Sequence, residues 1–282
     1  MSLPSERRIA LPHLQLAALT WGEAQRPPLL ALHGWLDNAA SFARLAPLLA
    51  MDRQVIALDL PGHGHSDHLP PGLGYGMPDY VRCVLDAADA LALSRFELLG
   101  HSLGAGIASL VAAAAPSRVQ RLWLIEGLGP LADDGRQTLD RFRKAFAAAP
   151  ASGKSLRRFR DIDQAASARA IASGLPAGLA RPIIERGLRA TPEGWHWRSD
   201  PRLVRPTPIR LAETQIRALL AGIEAPTSLL LSRPTTPYLP ATQMRERASC
   251  VPQIALAHMD GGHHLHLEHP QAVAQWMSAT AP

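Results

Sequence analysis

Residues 96–104 read FELLGHSLG, a short apolar run that ends in G-x-S-x-G and passes into the Ala-rich stretch Ala105–Ala115. Phe96–Gly100 has the length and apolarity of a strand buried on both faces, and Leu103–Ala115 has the composition of a helix. A strand that turns sharply into a helix at a serine is a nucleophile elbow: Gly100 and Gly104 leave room for the turn, and Ser102 is exposed at its tip. The helix N-terminus there also favours negative charge. G-x-S-x-G alone is a weak signal; with a strand before it and a helix after it, the expectation is an elbow rather than a structural Ser-Gly turn.

Short apolar runs alternate with helical patterns on both sides of this stretch, which argues for βα units around a mostly parallel sheet. Leu29–His33, Val55–Asp59 and Leu122–Glu126 read as buried strands, and Leu14–Trp21 as an antiparallel edge strand. Ala39–Ala50, Asp79–Ala92 and Leu103–Ala115 read as helices between them. After Gly129-Pro130 the alternation breaks into basic helical stretches with several prolines and no convincing buried strand. It resumes with a helix over Ile209–Ile223, strands at Ser228–Leu231 and Ile254–His258, and a last helix over Gln271–Ser278. The expected architecture is an α/β core, residues 1–130 and 207–282, interrupted by a helical insert at 131–206.

The chain of 282 residues carries a net charge of +5, unevenly spread. Arg136–Ala221 holds 17 Lys/Arg against 7 Asp/Glu, a surplus of +10 that leaves −5 for the rest. Solvated basic helices account for this surplus; attraction of acidic substrates is a weaker reading. No nucleic-acid motif or aromatic interleaving accompanies it, so no nucleic-acid partner is expected. Two cysteines, Cys83 and Cys250, are too few for a disulfide framework. No apolar run approaches the roughly 18 residues of a membrane span, and the N-terminal stretch lacks a signal-peptide core, so a cytoplasmic location is expected. Oligomeric state is not legible.

Three histidine-bearing loops compete for the chemistry. His33-Gly34-Trp35 follows an apolar strand, where the Trp35 N–H, with that of Leu103, can point at a developing oxyanion; His33 is expected to brace this loop. GHGHSDH, residues 62–68, has in His63, His65, Asp67 and His68 the ligand spacing of a dinuclear zinc hydrolase of the metallo-β-lactamase type. Such a site also needs later His and Asp ligands at strand ends, which this chain does not supply in a matching order. Near the C-terminus, MDGGHHLHLEHP offers His263 as the first side chain able to project from the Gly261-Gly262 turn, with His264, His266 and His269 as competitors.

The order HGW, DLPGHGHSD, GHSLG, helical insert, GGHHLHLEHP resembles the α/β-hydrolase superfamily over essentially the whole chain. HGWLDNAASF, DLPGHGHSD and GHSLGAGIA resemble its serine-hydrolase-like branch, beside esterases and meta-cleavage-product hydrolases. The resemblance implies that Ser102 is the nucleophile, that His263 is the base and that the insert after the sixth strand caps the site. It also implies that GHGHSDH is a loop near the pocket rather than a zinc site. The usual acid, an Asp after the strand that follows the cap, is missing: Ala225–Arg245 contains no carboxylate. A minority of the family places the acid after the preceding strand, where RLWLIEGLGP has Glu126; Asp260, a remoter acid or no acid are the alternatives. The resulting expectation is a Ser-His-Glu hydrolase of a small-molecule ester or related acyl substrate, with no metal and no organic cofactor. A carbon–carbon bond hydrolase and a non-catalytic binding protein are the rivals.

Overall fold

The computed structural model describes residues 3–147 and 158–280. Its main sheet has eight strands in the order β1 (Ser5–Ala10), β2 (Gln15–Trp21), β4 (Gln54–Leu58), β3 (Pro28–Leu32), β5 (Phe96–His101), β6 (Val119–Ile125), β9 (Thr227–Arg233) and β10 (Ile254–Asp260). The β1–β2 and β2–β4 pairs are antiparallel; the rest of the sheet is parallel. Because side chains alternate along a strand, each buried strand feeds two cores. Leu30 and Leu32 of β3, Leu98 of β5 and Leu122 and Leu124 of β6 face one side. There they pack on α2 (Met77–Ala90), α3 (Leu103–Ala114), α7 (Glu213–Leu220) and α8 (Ala241–Ala248). Leu29, Ala31, Leu99, Trp123 and Ile125 face the other side, against Phe42, α1 (Ala46–Leu49) and α10 (Pro270–Ala279). Coverage on both faces is why these strands read as unbroken apolar runs.

The chain departs from expectation where polar or proline chemistry intervenes. Leu14–Trp21 is not the edge: β1 lies outside it, and its sequence SERRIA buries only Ile9, leaving no apolar alternation to detect. The helix expected over Ala39–Ala50 is a 3-10 turn at Ala39–Phe42, capped by Asn38, and then α1. Pro47 lacks an N–H and is tolerated only in the first turn of a helix, so α1 starts beside it. The helix expected over Ile209–Ile223 shortens to α7, because the Leu211 carbonyl accepts from the Asp133 N–H at 2.8 Å and holds its segment out of helix. Helix α8 lacks a strong apolar stripe and has no counterpart in the sequence expectations.

Between β6 and β9 lie α4 (Thr138–Ala147), α5 (Ile162–Ser173), α6 (Ala177–Gly187) and a hairpin of β7 (Leu188–Thr191) with β8 (Gly194–Trp197). The part of the expected helical insert at 148–157 falls outside the described residues. The hairpin strands are only four residues each and half-exposed, which is why no buried strand is legible there. The helices share a small core of Phe159, Ala165, Ala180, Ile183, Ile184 and Leu188, to which Leu267 also belongs. Among the described residues, no helix is long and apolar enough to cross a membrane.

Two arginines of this segment, Arg169 and Arg186, pair with acids outside it, while others pair within it. Arg186 of α6 reaches Asp59 after β4 (Nε to both carboxylate oxygens at 3.0 Å) and Glu6 of β1 (2.7 Å). Arg169 of α5 pairs with Asp37, and Arg141 of α4 with Asp133. Asp59 is fully buried and also accepts from the Ala39 N–H and the His65 N–H, each at 2.7 Å. Removing Arg186 leaves a buried carboxylate without this cationic partner, a change worth about 3 kcal/mol or more. Arg186→Met is therefore expected to lower unfolding free energy in urea by about that amount. A loss under about 1 kcal/mol would contradict a stabilising role for the Arg186–Asp59 pair.

Candidate active site

The turn from β5 into α3 holds Ser102 at φ 52 and ψ −114, a region that non-glycine residues rarely occupy. Two glycines make this possible. A Cβ at Gly100 would lie 2.4 Å from the Gly104 carbonyl oxygen, and one at Gly104 would lie 2.0 Å from the Leu32 carbonyl oxygen. Helix α3 thus packs directly on the end of β3. The Ser102 N–H donates to the Ile125 carbonyl at 2.9 Å, tying the elbow to the end of β6. Leu103 opens α3, so its N–H has no acceptor within the helix.

His263 stands in the turn between β10 and α9 (Leu265–Glu268), where Gly261 adopts φ 151 and the Gly262 N–H donates to Glu268 at 2.7 Å. Its Nε2 lies 2.9 Å from Ser102 Oγ and its Nδ1 3.0 Å from Glu126 Oε2. Glu126 follows β6, is buried, and holds φ 56 while its N–H continues the sheet to the Leu230 carbonyl. The imidazole's carboxylate partner is thus Glu126, whereas Asp260 ends β10 with an exposed side chain.

The loop after β9, where the resemblance leads one to look for an aspartate, supplies the groups that hold Glu126 instead. The Ser232 N–H donates to Glu126 Oε1 and the Thr236 hydroxyl to Oε2, both at 2.5 Å. Burial pushes the Glu126 carboxyl up, but the hydrogen bonds from His263, Thr236 and Ser232 outweigh it and hold the group below the ordinary range. Tyr238 of the same loop places its hydroxyl 3.0 Å from His263 Nε2. Burial and the Glu126 charge push its ionisation up to about 12, so it remains a protonated donor at neutral pH. Thr236 and Tyr238 escape sequence reasoning because PTTPYLP offers several hydroxyls and no spacing rule to choose among them.

His33 is buried and its two ring nitrogens are both engaged with backbone groups. Its Nδ1–H donates to the Gly34 carbonyl at 2.8 Å, and its Nε2 accepts from the Leu60 N–H at 3.0 Å. Trp35 is half-exposed and its Nε1–H reaches the Leu203 carbonyl of the segment between β6 and β9 at 3.0 Å. The GHGHSDH side chains diverge rather than converge. His63 is buried against Pro61 and His33, His65 faces Glu6, Asp67 accepts from the Gln15 N–H, and His68 faces Arg198. A cavity of about 200 Å³ lies where His65 and His68 meet Arg189, Trp197 and Arg198. Of the C-terminal competitors, His264 and His266 are buried and His269 opens α10 at the surface.

The eight-stranded sheet, the serine elbow and a histidine between serine and carboxylate define an α/β hydrolase. A family profile described as the alpha/beta hydrolase fold matches residues 27–163. A serine hydrolase-like protein of Dictyostelium discoideum is 31% identical, over 93% of this chain and 77% of its own. A serine hydrolase-like protein of Danio rerio is 31% identical, over 96% of this chain and 86% of its own. The crystal structure of a hypothetical protein from Pseudomonas aeruginosa PAO1 superposes with a TM-score of 0.89 at 39% identity, over 97% of this chain and 98% of that one. The chain belongs to the serine hydrolase-like family of α/β hydrolases.

Acid sensitivity follows from the buried imidazoles. Burial pushes His33 down to about 4, and His63 and His266 each to about 3. In the unfolded chain these groups take up protons below about 6.5. The unfolded state therefore binds more protons between about 6.5 and 3, and stability falls as pH falls through that window. Glu126 and Asp37, both held low, add the same sign: their contribution is present above the ordinary carboxylate pKa and is lost below it. The midpoint of thermal unfolding is expected to be nearly flat above pH 7 and to fall steadily from pH 6.5 to 4.5. A midpoint unchanged between pH 7 and 5 would contradict this.

Proposed function

We propose that the protein is a serine hydrolase of an ester or related acyl compound, with Ser102, His263 and Glu126 as its triad. The observation that carries this reading is the continuous hydrogen-bonded chain from Ser102 Oγ through both ring nitrogens of His263 to Glu126. His263 Nε2 takes the hydroxyl proton as Ser102 Oγ attacks the carbonyl carbon. The carbonyl oxygen becomes an oxyanion, for which the Trp35 and Leu103 N–H groups are the donors in this reading. The imidazolium then hands its proton to the leaving group, and the acyl chain remains as an ester on Ser102. Water, deprotonated by His263, attacks that ester; the acid departs and Ser102 recovers its proton. Glu126 holds Nδ1–H and stabilises the imidazolium without itself taking the proton.

In this reading residues 131–206 form a cap over the acyl site. Its support is the pair of bonds that bring the segment to the oxyanion loop, Trp35 Nε1–H to the Leu203 carbonyl and the Asn38 amide to the Ile183 carbonyl at 2.8 Å. The partner is a small acyl molecule, and no step calls on a metal or an organic cofactor. Intact mass after exposure to a fluorophosphonate tests the reading. One adduct on the wild type and none on Ser102→Ala is expected; an unlabelled wild type, or a labelled Ser102→Ala, would overturn it.

A further inference from the structure

Next to the elbow lies a buried donor cluster that the triad does not use. His101, one residue before Ser102, is 1% exposed. Its Nε2 lies 2.9 Å from the His263 carbonyl oxygen. A carbonyl only accepts, so Nε2 carries the ring proton and Nδ1 presents a bare lone pair. Among the described residues that Nδ1 has no hydrogen-bond partner, and it faces Asp37 Oδ2 at 3.9 Å. His264 Nε2 lies 3.5 Å from the same oxygen, and the three ligand atoms all fall within 4.8 Å of one another. Gly34 leaves the space beside them open: a Cβ there would sit 2.9 Å from His101 Nδ1 and 3.3 Å from Asp37 Oδ2.

A lone pair turned on a carboxylate oxygen in a buried gap is repulsive, and a cation between them removes the repulsion. We propose that Asp37 Oδ2, His101 Nδ1 and His264 Nε2 form a binding site for one divalent transition-metal ion of the zinc class. Two imidazoles and a carboxylate are a common zinc donor set, with a fourth position left for water. Zinc–ligand bonds of about 2.0–2.1 Å place tetrahedral ligands about 3.3–3.4 Å apart. The 3.5 and 3.9 Å separations therefore need to close by about half an ångström or less, and the third, within 4.8 Å, by up to about 1.5 Å. The His101 Nε2–H bond to a backbone carbonyl is also the support by which ligating histidines are oriented.

The charge states suit an ion. Burial pushes the Asp37 carboxyl up, but the His264 hydrogen bond and the Arg169 charge hold it far below the ordinary range; in the metal-bound state the His264 proton moves from Nε2 to Nδ1, and the ion replaces that hydrogen bond. Burial and the neighbouring His266, His263 and His264 rings hold His101 well below its ordinary value, so it is neutral. The competitors are Arg169, which pairs with Asp37 Oδ1, and the Ser41 hydroxyl, 3.2 Å from Oδ2. No step of the proposed hydrolysis passes through this ion, so its binding stands independently of that reading.

The test is zinc binding by the full chain, stripped with a chelator and dialysed, read by equilibrium dialysis with elemental analysis and by the rise in thermal midpoint. One ion per chain is expected for the wild type, Ser102→Ala and His263→Gln. Outer-shell partners alone change affinity by about 10–100-fold, so His264→Gln is expected to weaken binding at least about tenfold. Arg169→Gln, which removes a competing cation, is expected to tighten it. No binding by the wild type, undiminished binding by His264→Gln, or loss in His263→Gln would overturn the site. Should His264→Gln fail to fold, an Arg169→Gln affinity equal to or below the wild type would overturn it equally.

Discussion

The close approach of α3 to β3 is the constraint on which the rest of the site depends. Gly104 lets the helix backbone come so near the Leu32 carbonyl that no side chain fits between them. Only this approach lets the chain reverse from strand to helix within one residue, at a cost of about 1–3 kcal/mol of backbone strain at Ser102. The strain is held by sheet and helix together: the Ser102 N–H is anchored on Ile125, and the Ser102 carbonyl accepts from Gly106. The serine is thereby presented at the strand ends, next to the chain leaving β6.

That neighbouring chain explains how a glutamate after β6 reaches the imidazole. β6 is flanked by β5, which delivers Ser102, and by β9, which delivers Ser232 and Thr236. Adjacent strands lie only about 4.8 Å apart, so a side chain one strand over remains within reach of the same ring. The positive φ at Glu126 turns the backbone there, and Gly127, where a Cβ would come within 3.1 Å of the Ser102 carbonyl, keeps the crossing tight. The β9 loop contributes donors rather than charge, which is the arrangement a single buried carboxylate requires.

Much of this was legible in the residues. The elbow announces itself because strand, glycines, serine and helix are contiguous, and the double-faced strands because both faces are apolar. β1 was invisible because its one-sided, mostly exposed pairing leaves no pattern in SERRIA. Choosing His263 over His264 and His266 relied on turn geometry and resemblance, since all three occur within four residues. The charge asymmetry was visible, but its cause was not. Arg169 and Arg186 find their carboxylates on Asp37, Asp59 and Glu6, contacts that exist only once the segment between β6 and β9 folds back on the sheet. The same distance in sequence hid the Asp37, His101 and His264 cluster.

The central claim is that Glu126 orients His263 for its work on Ser102. The most direct measurement is the turnover of Glu126→Gln on an activated aryl ester, with folding checked by its thermal midpoint. Gln preserves the shape but cannot fix the same tautomer or stabilise an imidazolium, and the account predicts a fall in kcat on the order of 10³–10⁴-fold. Turnover equal to the wild type would contradict it.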